Sequence, residues 1–98
     1  MFIYAIGNET DRQKIGISND PNKRLRNLQT GNPDKLYVHY MFEVDVRYAA
    51  KYEAYIHSCH RHKKKAGEWF DMTKDEVIDM LMFHEIMMES EFGKRGWF

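Results

Sequence analysis

The stretch KIGISNDPNKRL, Lys14 to Leu25, places two cations and a bare glycine around a strand-to-helix corner. An ammonium and a guanidinium both suit phosphate oxygens, and the guanidinium can make two parallel hydrogen bonds to them. A glycine between them lets another group approach the backbone closely, or marks a β-bulge. Lys14, Gly16 and Arg24 therefore suggest the surroundings of a scissile phosphate. Arg26 lies on a different helical face and suits either solvent or a phosphate-backbone contact. Further along, Glu53 and His57 stand four apart and share a face if that segment is helical. The run HSCHRH holds His57, Cys59, His60 and His62 and suggests zinc. Consecutive helical positions diverge, however, and structural zinc draws its ligands from two segments, which disfavours that reading. In RHKKK, residues Arg61, Lys63 and Lys64 suit sequence-independent, salt-sensitive phosphate contacts. A solvated helix end favoured by the helix dipole is the competing explanation.

These residues need a scaffold. MFIYAIG is rich in aromatic and β-branched residues and predicts a strand over residues 2–6. NETDR is a polar turn, and QKIGIS predicts a second strand over 13–18, forming a hairpin with the first. Alternation puts Ile15 and Ile17 on one face and Lys14, Gly16 and Ser18 on the other. In the next segment Asn19 or Asp20 can cap a short helix, Pro21 suits its first position, and Gly31 can close it. A third strand is expected over 36–44 and a second helix from about 46, broken at Gly67. EWFDM reads as a short edge strand or an extended loop. Thr73 with Glu76 is a capping-box signature and opens a last helix to about residue 91, followed by the tail GKRGWF. The order predicts an α+β fold, a small three-stranded antiparallel sheet flanked by helices. Residues 1–72 form its core. Residues 73–98 supply a C-terminal helix and tail that pack on it or form an interface.

Ninety-eight residues fit one domain, and 43% hydrophobic with 14% aromatic residues suffices for a core. No apolar run approaches the roughly 18–20 residues of a membrane span, and nothing resembles a signal peptide. The one cysteine, Cys59, has no internal partner, which suits a reducing cytoplasm. The net charge is zero, which argues against a generic nucleic-acid binder. Its distribution is uneven: residues 1–70 carry twelve Lys/Arg against eight Asp/Glu, and residues 71–98 carry three against seven. The first part can thus present a basic face.

The ordered set of FIY at Phe2–Tyr4, KIG at Lys14–Gly16, DPNKRL, Glu53 and a later GEWF resembles the GIY-YIG nuclease superfamily. The similarity is to its small phage and bacterial branch, which includes the meiotically up-regulated gene domain, and it covers about residues 2–71. The resemblance implies metal-dependent hydrolysis of phosphodiesters in nucleic acid, with DNA favoured. It implies that Tyr4 helps to deprotonate the attacking water, although a free phenol, with a pKa near ~10, is a poor base. Lys14 stands where the founding pattern has a second tyrosine. It could lower the pKa of Tyr4, orient the water or hold a phosphate oxygen. Arg24 would stabilise the phosphorane, Glu53 would bind Mg²⁺ or Mn²⁺, and His57 could touch a phosphate or the leaving group. Gly16, Arg26, Arg61, Lys63 and Lys64 complete the expected substrate contacts. Trp69 and Phe70 in GEWF are expected to lock the second helix against the sheet.

The last helix is apolar almost all round, from Val77 through Phe83 to Met88, and could mediate a homodimer. The leading expectation is a cytoplasmic endonuclease in a bacterial or phage-infected cell. The alternative is a non-catalytic nucleic-acid-binding or regulatory module on the same scaffold.

Overall fold

Alternating apolar residues on two short segments joined by a tight polar turn form the centre of the protein. In the computed structural model, which describes residues 1–89, β1 (Phe2–Gly7) and β2 (Arg12–Ser18) make that hairpin. Helix α1 (Pro21–Gln29) follows, then β3 (Tyr37–Glu43), α2 (Ala49–Cys59), a 3₁₀ turn at Arg61–Lys63, β4 (Trp69–Asp71) and α3 (Lys74–Met88). The sheet is antiparallel with strand order β3-β1-β2-β4. The expected end of the last helix near residue 91 and the tail lie outside the described residues. Among those described, no helix is long and apolar enough to cross a membrane.

The expectation of three strands is corrected to four. Strand β4 has only three residues, too few to show an alternation, and it pairs with Arg12–Lys14 of β2. It is set up by the turn Ala66–Trp69, in which Gly67 takes φ 60° and Trp69 N–H donates to the Ala66 carbonyl at 3.0 Å. A second correction concerns α2, which begins at Ala49 rather than 46. The Asp45 carboxylate accepts hydrogen bonds from the Arg47 backbone and side chain, and Tyr48 N–H bonds to the Asp45 carbonyl at 3.0 Å. That local turn occupies the residues that would otherwise begin the helix.

The other helix signals act as expected. Asp20 is the cap of α1, accepting from Lys23 N–H at 3.1 Å, with Pro21 in the first helical position. Gly31, at φ 79°, lies just past its end. Thr73 and Glu76 form the reciprocal capping box of α3.

The two sheet faces differ. One buries Ile3, Ala5 and Ile15 against Tyr52 and Ile56 of α2 and Val77 and Leu81 of α3, with Phe42 and Phe70 from the outer strands. The other has a smaller cluster of Tyr4, Ile6 and Leu36, against which Leu25 and Leu28 of α1 pack. Helix α3 thus shares the core of the hairpin, while its outward side leaves Met82, Phe83, Ile86 and Met87 exposed.

Candidate active site

Directly opposed residues of an antiparallel pair share a face. Tyr4 is opposite Gly16, and Ile6 is opposite Lys14, which in turn is opposite Trp69 of β4. Tyr4, Lys14 and Gly16 therefore lie together on the face covered by α1. A Cβ at Gly16 would lie 2.5 Å from Tyr4 Oη and 3.0 Å from Glu68 Oε1. The close approach expected at Gly16 is made by these two side chains, so this glycine serves the site through Tyr4.

The expected electrostatics of Tyr4 are corrected. Its phenol is pushed up to about 12, first by burial, and the nearby Glu68 and Glu53 carboxylates add to the rise. The cation opposing that rise is Arg24, not Lys14. Lys14 is engaged elsewhere: its Nζ lies 3.4 Å from Glu68 Oε1 and 5.5 Å from the centre of the Trp69 ring. Tyr4 is consequently a neutral phenol at physiological pH.

Arg24 projects from the exposed side of α1, beside an open groove lined by Ser18, Asn19, Asp20, Lys23 and Asn27. The cap at Asp20 fixes the turn that carries it. Arg26 borders a different groove with Gln29 and Lys35, so the two arginines face different surroundings.

Beyond Lys14 the outer edge of β2 has no strand partner among the described residues, and its polar groups are met by Glu68, His57 and Glu53. Ile15 N–H donates to the Glu68 carbonyl at 3.1 Å. His57 Nε2 donates to the Ile15 carbonyl at 2.8 Å, and the Ile17 amide favours the Glu53 carboxylate. This edge draws α2 and the loop before β4 towards the hairpin.

Glu53 Oε2 is buried with no hydrogen-bond partner among the described residues. Burial raises its carboxyl above the ordinary range and Glu68 adds to the rise, whereas His57, Lys14 and the Ile17 amide oppose it. An orphaned carboxylate oxygen in such a place fits a divalent cation, which would supply the missing charge partner. No group of three or more His, Cys, Asp or Glu among the described residues could hold a metal. One carboxylate with waters and a substrate phosphate is the way Mg²⁺ is commonly held.

One comparison with known proteins returns a match. The T5orf172 domain model matches residues 1–85, and so spans every element that carries the cluster. The chain belongs to the T5orf172 domain family. That domain is nuclease-related and occurs in phages and bacteria. No curated protein and no solved structure matches the chain.

The remaining expected residues of this T5orf172 domain divide sharply. His57 packs edge-on to Phe70 with ring centres 4.9 Å apart, and its Nε2 is held by the Ile15 carbonyl. A carbonyl only accepts, so that nitrogen carries the hydrogen and the ring pins α2 to β2. Lys63 is drawn to Glu76 at 2.7 Å, at the start of α3, while Arg61 and Lys64 stay exposed. The HSCHRH run scatters: His60 meets His84 at 3.0 Å, while Cys59 and His62 are exposed. Glu68 is the site residue that the sequence does not single out. The signal was present in GEWF, but the aromatic pair beside it suggested only a structural role.

Proposed function

We propose that this T5orf172 domain is a metal-dependent endonuclease of the GIY-YIG type that hydrolyses phosphodiester bonds in nucleic acid, with DNA favoured. The observation that most supports this is that Tyr4 stands over Gly16, on the same sheet face as Lys14 and within electrostatic reach of Arg24 and Glu53. They come from β1, β2, α1 and α2, a grouping that a packed core does not require.

In this reading the Tyr4 hydroxyl orients the attacking water as a neutral hydrogen-bonding group. Arg24 holds the phosphate oxygens and stabilises the charge that builds up as phosphorus becomes five-coordinate. Lys14 holds Glu68 in place and lends positive charge to the same face. Glu53 anchors Mg²⁺ or Mn²⁺, which when bound would polarise the phosphoryl group and stabilise the leaving oxygen. His57 keeps Glu53 in position by fixing α2 on β2. Arg26, Arg61 and Lys64 add exposed contacts to the phosphate backbone, which weaken with salt.

The test is cleavage of supercoiled plasmid, single-stranded DNA and RNA with Mg²⁺ or Mn²⁺, alongside EDTA and Glu53→Gln. The expected result is metal-dependent nicking that both controls abolish. Folded protein that cleaves none of these substrates would overturn the proposal. If it still bound nucleic acid, the non-catalytic binding module would take its place.

A further inference from the structure

One carboxylate in the cluster has so far been given no chemical task. Glu68 reaches the face of Tyr4 from the loop before β4, and its backbone is fixed there. Its carbonyl accepts from Ile15 N–H at 3.1 Å, and it follows Gly67 in the turn closed by the Trp69-to-Ala66 hydrogen bond. Its side chain is 39% exposed and lies 3.4 Å from Lys14 Nζ, so it is held and still open to solvent. Glu68 Oε1 and Tyr4 Oη both come within 3.0 Å of the point where a Cβ of residue 16 would stand. The absence of a side chain at Gly16 lets a phenol and a carboxylate meet over one patch of sheet.

The nuclease reading requires a group that takes a proton from the attacking water, and the other residues are poorly suited to it. Tyr4, pushed up to about 12, is almost wholly protonated at neutral pH. A lysine ammonium and a guanidinium have no lone pair to offer. In that reading Glu53 is committed to the metal, and the His57 ring is pinned between the Ile15 carbonyl and the edge of Phe70, which belongs to the core on the opposite face from Tyr4. Glu68 remains, a carboxylate beside the hydroxyl that orients the water.

We propose that Glu68 is the general base of the site, taking the proton of a water that Tyr4 orients above Gly16. This rests on the nuclease reading. The water O–H bond breaks and its proton passes to the Glu68 carboxylate. The oxygen forms a bond to phosphorus as the bond from phosphorus to the leaving strand oxygen breaks. That oxygen takes a proton from solvent, to which Glu68 later returns its own. Nothing is oxidised or reduced. The titratable groups that reach Glu68 are Lys14 of β2, Tyr4 of β1 and Glu53 of α2. Lys14 is the one that holds it directly.

The experiment is single-turnover cleavage of supercoiled plasmid with Mg²⁺ by the full chain and its Glu68→Gln, Glu68→Ala and Glu68→Asp variants. Plasmid affinity and melting temperature are measured beside it. Glu68→Gln should lose about 10²–10⁴-fold in rate with affinity little changed, the usual span for removal of a general base. Added formate, a small free carboxylate, should restore part of the rate to Glu68→Ala but none to Arg24→Ala. Rescue separates a proton acceptor from a residue that merely steadies Lys14. Glu68→Asp keeps the charge and should retain part of the activity, which covers the case in which Gln or Ala disturbs the turn. Glu68→Gln that cleaves at nearly the wild-type rate, or a Glu68→Ala defect untouched by formate, overturns the assignment and leaves the nuclease standing. Wild type that cleaves nothing overturns the nuclease reading, and this assignment with it.

Discussion

The two faces of the central hairpin are built to different ends. Towards α2 and α3 it presents Ile3, Ala5 and Ile15, each with 0% exposure, to a broad apolar core. Towards α1 the same strands present Tyr4, Lys14 and Gly16, and the helix there has nine residues and buries only Pro21 fully. The first face is filled by apolar packing around the buried Gln13, whose Oε1 has no hydrogen-bond partner among the described residues. The other meets two carboxylates, Glu53 and Glu68, one of them with an orphaned oxygen. Alternation lets a single strand pair serve both purposes, because every second residue is turned away from the larger core. Most of the apolar packing thus lies on one side and the polar side chains on the other, so substitutions on the two faces should separate stability from cleavage.

The largest effect on stability is expected deep in the first face. Ile56→Ala should cost about 2–5 kcal/mol, the usual range for such a cavity, and urea unfolding would measure it. Cleavage by the fraction that stays folded should be retained. Next comes Gly16→Ala, whose added methyl would press on Tyr4 Oη at 2.5 Å. A cost of about 1–3 kcal/mol is expected for the overpacking, with a cleavage rate that falls further than the loss of folded protein explains. Equal losses in the two measurements would remove Tyr4 from the chemistry. Thr73→Ala removes the cap of α3, far from the site, and should cost about 1 kcal/mol with no change in rate.

The smallest effect has the opposite sign. The Glu53 carboxyl is raised above its ordinary 4.5, so the folded protein binds its proton more tightly than the unfolded chain does. Stability is therefore lost as pH rises from 4.5 through the folded value, and the full penalty is present above it. Glu53→Gln lacks this penalty. Its melting temperature should exceed that of metal-free wild type at neutral pH, with the difference vanishing below 4.5. Adding Mg²⁺ should raise the melting temperature of wild type and leave the variant where it was. A variant less stable than metal-free wild type at neutral pH would show that Glu53 is satisfied without a cation.

Much of this division was legible in the sequence, and the failures have physical causes. The alternation of QKIGIS separated Lys14 and Gly16 from Ile15 and Ile17, and Asp20-Pro21 and Thr73-Glu76 marked two helix starts. Period two fixes a face but not a partner, so the pairing of Tyr4 with Gly16 required the folded register. Strand β4 was too short to declare itself, and an Asp45–Arg47 turn displaced the start of α2. The ionisation of Tyr4 depends on burial and on charges distant in sequence. No local pattern could show that Arg24, rather than Lys14, is the cation acting on it. Glu68 was hidden for a related reason: its neighbours Lys14 and Tyr4 are supplied by other strands.

The most direct test of the central claim is the single-turnover rate of plasmid cleavage by Arg24→Ala beside wild type, with melting temperatures measured in parallel. Arg24 is exposed and contributes nothing to either apolar cluster. The account predicts a rate about 10²–10³-fold lower, the scale seen on removing one charge-stabilising donor, with an unchanged melting temperature. Cleavage at the wild-type rate by Arg24→Ala would contradict it and move the chemistry away from the face covered by α1.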